Sequence, residues 1–242
     1  MKFAFLALMA CGMTSAAQAA PGLGEEIYGA TVSAGKSEVE TRYGRLTGGS
    51  ADGEDVLAVE LSHGFSNRFA GSLLFEFERE PGRRRDLAAV GVEGIVALGH
   101  SDALGLDAAL YGEYEFAHDA PDAAEAKLLL QHRKGPFDAR LNLIFERALE
   151  RGRPIEFGYA ASADWALVED LRLGLAAFGG LGSTHHFADR DEHYLGPVVK
   201  TEIEGLPRGE LEIEAGYLVA IGAARDETKG QARLLLEYEF RF

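Results

Sequence analysis

From Ser37 to the end of the chain, apolar and polar side chains alternate with a period of two, in short runs separated by turn-forming residues. Val39, Thr41 and Tyr43 alternate with Glu38, Glu40 and Arg42; Leu57, Val59 and Leu61 with Glu60 and Ser62; Phe69, Leu73, Phe75 and Phe77 with Glu76 and Glu78. Further on, Val90, Val92 and Val96 oppose Glu93, Leu110 and Tyr114 oppose Asp107, Glu113 and Glu115, and Leu141 and Leu143 oppose Arg140 and Asn142. The second half continues with Leu173 and Leu175 against Arg172, Val199 and Thr201 against Lys200, and Ile213 and Tyr217 against Glu212 and Glu214. Successive side chains of an extended strand point to opposite sides, so each run is a strand with one apolar and one polar face. The runs amount to about twelve strands, an even number suited to a closed antiparallel barrel.

The connections carry their own rhythm. Those near Ser66-Asn67, His100-Ser101-Asp102, Lys134-Gly135-Pro136, Glu169-Asp170 and Leu206-Pro207-Arg208-Gly209 are short. Between them lie 47–55, 79–86, 118–124, 149–154, 179–192 and 222–230, which are longer or more charged. An up-and-down barrel in a membrane has tight turns at one end and longer loops at the other, whereas a soluble sandwich has no reason to alternate them. Aromatics gather at strand ends: Phe65, Phe69, Phe137, Trp165 and Phe242 at the turn end, and Tyr43, Phe77, Phe116, Phe145 and Tyr194 at the loop end. Two such girdles fit the two interfaces of a bilayer.

The start of the chain sets the compartment. Lys2, the apolar run Phe3 to Ala10 and the box Ala17-Gln18-Ala19 form a secretory signal peptide over residues 1–19. Leu8-Met9-Ala10-Cys11 is a partial lipoprotein box that fits less well, because the apolar stretch before Cys11 is short. Cys11 is the only cysteine, so the mature chain forms no internal disulfide, and a cystine-stapled scaffold is excluded. Past the leader no apolar run reaches the roughly twenty residues of a spanning helix. The net charge of -15 argues against nucleic acid or anionic lipid as partners. Residues 20–36, rich in Gly and Ala, are a tail, a plug or an extra strand, and 37–242 form the barrel domain.

The last strand, from Gln231, places Ala232, Leu234, Leu236, Tyr238, Phe240 and Phe242 on one side and Arg233, Glu237, Glu239 and Arg241 on the other. A half-apolar strand with a terminal aromatic resembles the closing strand of bacterial outer-membrane β-barrel proteins. That resemblance implies an all-β, transmembrane, antiparallel up-and-down barrel. It also implies outer-membrane localisation, and an assembly signal carried by Tyr238, Phe240 and Phe242 and read by the barrel-assembly machinery.

The polar faces then line the lumen: Glu60, Glu76, Glu93, Asp107, Glu113, Arg140, Arg172, Lys200, Glu212, Glu214, Arg233 and Glu237 among others, with acid outnumbering base. A water-filled acidic lumen favours cationic or neutral small solutes, as in a small porin-like channel. The alternatives are a closed structural barrel whose lumen charges pair across it, and a soluble periplasmic β-sandwich that binds a ligand. An enzyme of the lipid-hydrolase type needs a lipid-facing Ser and His within hydrogen-bond reach. His63 and His132 lie at the turn end and His118 at the loop rim; no outward serine lies beside His118 in its strand, and no Gly-X-Ser-X-Gly motif occurs. No catalytic residue and no cofactor is therefore expected. His185, His186 and His193, with Asp189, Asp191 and Glu192, are of metal-ligand type, although a solvated loop is the simpler reading. Arg83, Arg84 and Arg85 are candidates to meet lipopolysaccharide phosphates, beside the plainer reading of solvated loop charge. Partners expected in all are outer-membrane lipid and lipopolysaccharide, the assembly machinery and small solutes, with no nucleic acid.

Overall fold

The computed structural model describes residues 20–188 and 191–241, so the leader, Asp189 and Phe242 lie outside the described residues. Twelve strands follow one another: β1 (Lys36–Thr47), β2 (Asp55–Gly64), β3 (Phe69–Arg79), β4 (Asp86–Ser101), β5 (Leu106–Ala117), β6 (Ala123–Lys134), β7 (Phe137–Ala148), β8 (Glu156–Val168), β9 (Leu171–Ser183), β10 (Glu192–Leu206), β11 (Gly209–Gly222) and β12 (Gly230–Arg241). Each pairs antiparallel with its neighbour in sequence, and β12 pairs with β1 from Lys36↔Arg241 to Thr47↔Gly230, so the sheet is a closed barrel. Closure removes the edges at which an open sheet leaves its backbone groups unpaired. The ring of strands excludes the soluble two-sheet sandwich that the alternation alone permitted.

The outside of the barrel is apolar. Val39, Leu61, Leu73, Val92, Leu110, Leu175 and Val219 are all exposed there, whereas Glu40, Arg42, Glu60, Glu93, Lys127, Asn142, Lys200, Glu214 and Arg233 are buried inside. A soluble protein does not present a continuous apolar girdle with its charges enclosed. In a bilayer the same arrangement is the stable one, because hydrocarbon meets hydrocarbon and each strand backbone is satisfied by its neighbours. The barrel therefore spans a membrane.

Turns fall at one end (65–68, 102–105, 135–136, 169–170 and 207–208) and longer loops at the other (48–54, 80–85, 118–122, 149–155, 223–229 and the connection that begins at 184). Phe65, Phe69 and Trp165 are exposed at the turn end and Phe116 and Phe145 toward the loop end, as the girdle reading requires. Tyr194 departs from it: its side chain is buried inside the barrel beside Phe178. Alternation places Tyr194 on the same face as Val198 and Lys200, so it belongs to the interior. At the closing strand, the rings of Tyr238 and Phe240 stack 5.9 Å apart, and the Tyr238 hydroxyl donates to the Pro207 carbonyl (2.7 Å).

Residues 20–35 form no strand. They run through the interior from the loop end, where Gln231 donates to the Pro21 carbonyl (2.9 Å), to the turn end, where Ala34 N–H donates to Asn67 Oδ1 (3.0 Å) and Gly35 N–H to the Gly64 carbonyl (2.7 Å). Leu23 and Ile27 join an apolar cluster with Leu46, Val56, Ala176, Phe178, Tyr194 and Leu218, closed at the loop end by Ala51 and Ala224. Loops 48–54 and 223–229 dock on each other there, through Ala51 N–H to the Glu227 carbonyl (3.1 Å) and Thr228 Oγ1 to the Thr47 carbonyl (3.0 Å).

The girdle predicts a depth-dependent response to charge. Val92→Arg, in the middle of the exposed belt at 48% exposure, should lower barrel stability by about 2–4 kcal/mol in lipid vesicles, measured as the shift in the urea refolding midpoint. A shift within 0.5 kcal/mol would be the behaviour of an ordinary water-exposed surface site instead.

Candidate functional site: the barrel interior

A backbone threaded through a barrel has no strand partner, and each unsatisfied buried N–H or C=O is costly. Here inward side chains supply the missing ladder. Asn142 on β7 reads Tyr28 on both sides, accepting from its N–H at Oδ1 (2.8 Å) and donating from Nδ2 to its carbonyl (3.0 Å). Gln131 accepts from Ala30 N–H (3.1 Å), Arg140 donates to the Ile27 carbonyl (3.2 Å), and Arg233 donates to the carbonyls of Gly22 and Glu25, the latter at 2.7 Å. The Arg233 guanidinium also lies over the Phe178 ring, 4.3 Å from its centroid. Gly44 makes room: a Cβ at this inward position would stand 2.8 Å from Leu23 Cδ1 and 3.0 Å from Gly24 N.

Salt bridges tie the same segment to the wall. Arg42 Nη1 reaches Glu26 (3.0 Å), Glu40 (3.0 Å) and Glu60 (3.2 Å), and lies 3.4 Å from the Tyr28 hydroxyl. Lys127 Nζ reaches Glu25 (2.6 Å) and Glu125 (3.0 Å) and sits over the rings of Tyr28 and Tyr111. Other bases of the interior are also matched: buried Lys200 with Glu214 (3.1 Å) and Asp164 (3.7 Å), and the partly exposed Arg140 with Asp138 (3.7 Å) and Arg172 with Asp164. Removing one partner of such a pair leaves an uncompensated buried charge, so these contacts fix the segment's register as well as its place.

The segment divides the interior in two. Toward the turns lies a chamber of about 240 Å³ with mixed charge, bordered by Lys36, Glu60, Arg140, Lys200, Glu212, Glu214, Arg233 and Glu237. Toward the loops lies a larger one of about 810 Å³, bordered by Glu76, Glu78, Glu93, Glu113, Glu115 and Glu125 from β3 to β6. Glu26 and Tyr28 border both, so the constriction between them is built around the Arg42 cluster. Among the described residues Glu76, Glu78, Glu93, Glu113 and Glu115 are ion-paired with no lysine or arginine; Glu93 accepts from Ser72 Oγ (2.5 Å) and Glu113 from the Tyr111 hydroxyl (2.7 Å). Gly91, facing inward between them, leaves space that a Cβ would take at 2.2 Å from Glu113 Oε1. The large chamber is thus acidic along this wall, and Arg42, Lys127, Glu146, Arg153, Tyr159 and Glu192 border it elsewhere.

The residues expected from alternation to line the lumen are placed as follows. Glu60, Glu76, Glu93, Glu113, Arg140, Lys200, Glu212, Glu214, Arg233 and Glu237 border a chamber; Asp107 pairs with His100 (3.0 Å) and Arg172 with Asp164, both at the turn end. Among the described residues no ligating trio includes His185, His186 or His193, and His193 lies against Tyr159, its Nδ1 3.3 Å from the hydroxyl. The trios that do exist are Glu26, Glu40 and Glu60, and Glu38, Glu237 and Glu239. Arg42 already occupies the first and Lys36 the second, the latter 2.8 Å from Glu239, so a side-chain cation stands where an ion would. One pairing went unseen in the sequence: Ser37 Oγ lies 2.8 Å from His63 Nδ1 across the β1–β2 ladder, at the turn end. Ser37 is 5% exposed, which denies its hydroxyl to a lipid ester, and among the described residues no carboxylate is paired with the imidazole.

No protein-family model matches the sequence, and no curated protein matches it. Solved structures do. An outer-membrane channel from Pseudomonas putida F1 superposes with TM-score 0.59 at 12% identity, covering 93% of this chain and 100% of that one. The NanC porin gives 0.58 at 11%, covering 84% and 100%, and the KdgM porin 0.54 at 11%, covering 85% and 99%. The fold is that of outer-membrane porins. At this identity the likeness concerns the barrel alone, and the interior chemistry is this chain's own.

The side-chain ladder generates a test. Asn142→Leu leaves two buried groups of Tyr28 unsatisfied and should cost about 2–4 kcal/mol in the urea midpoint of the refolded barrel. Asn142→Asp keeps both hydrogen bonds only when its carboxyl is protonated and donates to the Tyr28 carbonyl, so its cost should shrink as pH is lowered. Equal, small losses for both would mean that the segment is not held by this residue.

Proposed function

We propose that the protein is a porin-type channel of the bacterial outer membrane that passes small cationic or neutral solutes, with residues 20–35 as a resident constriction. It carries out no chemistry on them. The observation that carries this reading is the wall of Glu76, Glu78, Glu93, Glu113 and Glu115, which faces the large chamber and, among the described residues, makes no ion pair with the Arg42, Lys127 and Arg153 that also border it. Fixed carboxylates in a confined lumen lower the energy of a cation and raise that of an anion. Chamber walls made of charged groups also concentrate counter-ions at the mouth. The leader and the porin fold support the location. A KdgM porin has been solved with disordered oligogalacturonate, a chain of sugar acids; the acidic wall here speaks against such a cargo for this chain.

A closed structural barrel is the second reading, and one feature favours it: the inner segment crosses the whole interior and is anchored at both ends. Planar-bilayer recording separates the two. The full chain should conduct weakly with a reversal potential on the cation side under a salt gradient, and deletion of residues 20–33 should raise conductance several-fold. Glu76→Gln with Glu113→Gln should move the reversal potential toward zero. Silence from both the full and the shortened chain would establish the closed barrel, and anion preference would refute the acidic-lumen reading.

A further inference from the structure

On the outer surface, just beyond the lipid-facing Tyr43, Leu57 and Phe77, three strands place ionic side chains at one level: Asp55 pairs in register with Arg45 on β1 and with Arg79 on β3. Arg85, from the β3–β4 loop, folds over the same spot. It donates from Nε (3.0 Å) and Nη2 (2.6 Å) to Asp55 Oδ1, and its guanidinium stands 5.7 Å from the Tyr43 ring centroid. Arg79 contacts Asp55 Oδ2, Arg45 lies 4.0 Å from that oxygen, and the Tyr43 hydroxyl donates to it (3.3 Å). Asp55 is fully buried beneath them, while each arginine stays about a third exposed, with side-chain exposures of 41%, 31% and 33% for Arg45, Arg79 and Arg85.

Three guanidiniums drawn to one carboxylate leave a positive excess at a fixed point. Arg83 and Arg84 add to it in the loop, against Glu80 and Asp86, and the excess stands out on a chain whose net charge is -15. Alternation puts the cluster on the face that meets lipid, one step past the aromatics that mark the hydrocarbon edge, which is the depth of the headgroups. A guanidinium carries five donors in a planar fork that matches phosphate oxygens, and Arg85 spends two of its five on Asp55. Asp55 and Tyr43 thus hold the arginines in place before any ligand arrives.

We propose that Asp55, Arg45, Arg79 and Arg85 form a binding site for the phosphorylated headgroup of the outer-leaflet glycolipid, the diphosphoryl lipid A of lipopolysaccharide. The arginines bind phosphate, Tyr43, Leu57 and Phe77 lie against the acyl chains, and Asp55 positions the guanidiniums. This rests on the outer-membrane reading above. The site also distinguishes the two ends of the barrel, since its residues lie at the loop end of the β1–β3 wall.

The test uses the full mature chain refolded in neutral detergent and titrated with diphosphoryl lipid A, with adducts read by native mass spectrometry. Phosphate-free lipid A and inorganic phosphate serve as comparison ligands. The barrel should retain diphosphoryl lipid A at least tenfold better than the phosphate-free form. Arg79→Gln with Arg85→Gln should weaken retention about tenfold, and Arg45→Gln about threefold. Arg45→Gln leaves Asp55 doubly paired and so decides the matter if the double variant does not fold. Equal retention of both lipids, unchanged binding in Arg45→Gln, or occupancy by inorganic phosphate in place of the lipid would overturn the site. Heat-modifiable gel migration, run in parallel, reports on the barrel separately: a chain that never shows it refutes the membrane reading and not this site alone.

Discussion

The seam between β1 and β12 is the contact on which the rest of the molecule depends. In hydrocarbon an unpaired peptide group finds no water, so a sheet can enter a bilayer only when its last strand pairs with its first. Here that pairing runs from Lys36↔Arg241 to Thr47↔Gly230, the whole length of both strands. Once the ring is shut, the period of two leaves each strand no choice of side. Val39 and Leu234 go to lipid, and Arg42 and Arg233 go inside.

Shutting the ring creates a second problem and solves it by the same rule. A twelve-stranded interior is too wide for wall side chains to fill completely and narrow enough that enclosed charge is poorly solvated. Residues 20–35 occupy the gap, and their own peptide groups are then satisfied by Asn142, Gln131, Arg140 and Arg233, which act as a discontinuous strand made of side chains. The bases of the wall are consumed in holding this segment and in pairing with nearby acids. What remains unmatched is carboxylate, concentrated on β3 to β5 and facing the large chamber. The acidity of the open chamber thus depends on which wall charges are paired, beyond the simple count of charges.

The barrel was readable because its signal is repeated: alternation assigns a face to Glu60 or Leu61 without knowledge of any neighbour, and the turn-loop rhythm supplies the direction. What the sequence did not reveal needed information from across the barrel. Tyr194 is an aromatic near a strand end, and only its parity with Val198 and Lys200 and its contact with Phe178 reveal it as an interior residue. Ser37 and His63 are distant in sequence and meet through the β1–β2 register. Residues 20–35 show no period, because a segment held by scattered side chains needs none. A hint lay in β8 to β11, where inward positions such as Ala160, Ala176, Phe178 and Leu218 are apolar; a water-filled lumen would not ask for them.

Sequence by itself determined the class of fold, the number of strands and the facing of nearly every side chain, since these follow from a local period and from turn chemistry. Tertiary structure alone decided which charges are neutralised, where the interior narrows, and that Arg45, Arg79 and Arg85 converge on Asp55. Those outcomes depend on distances between strands and on the path of a segment through the barrel. Electrostatic and hydrogen-bond energies are set by separations of a few ångströms between residues far apart in the chain, and no periodicity along the chain encodes them.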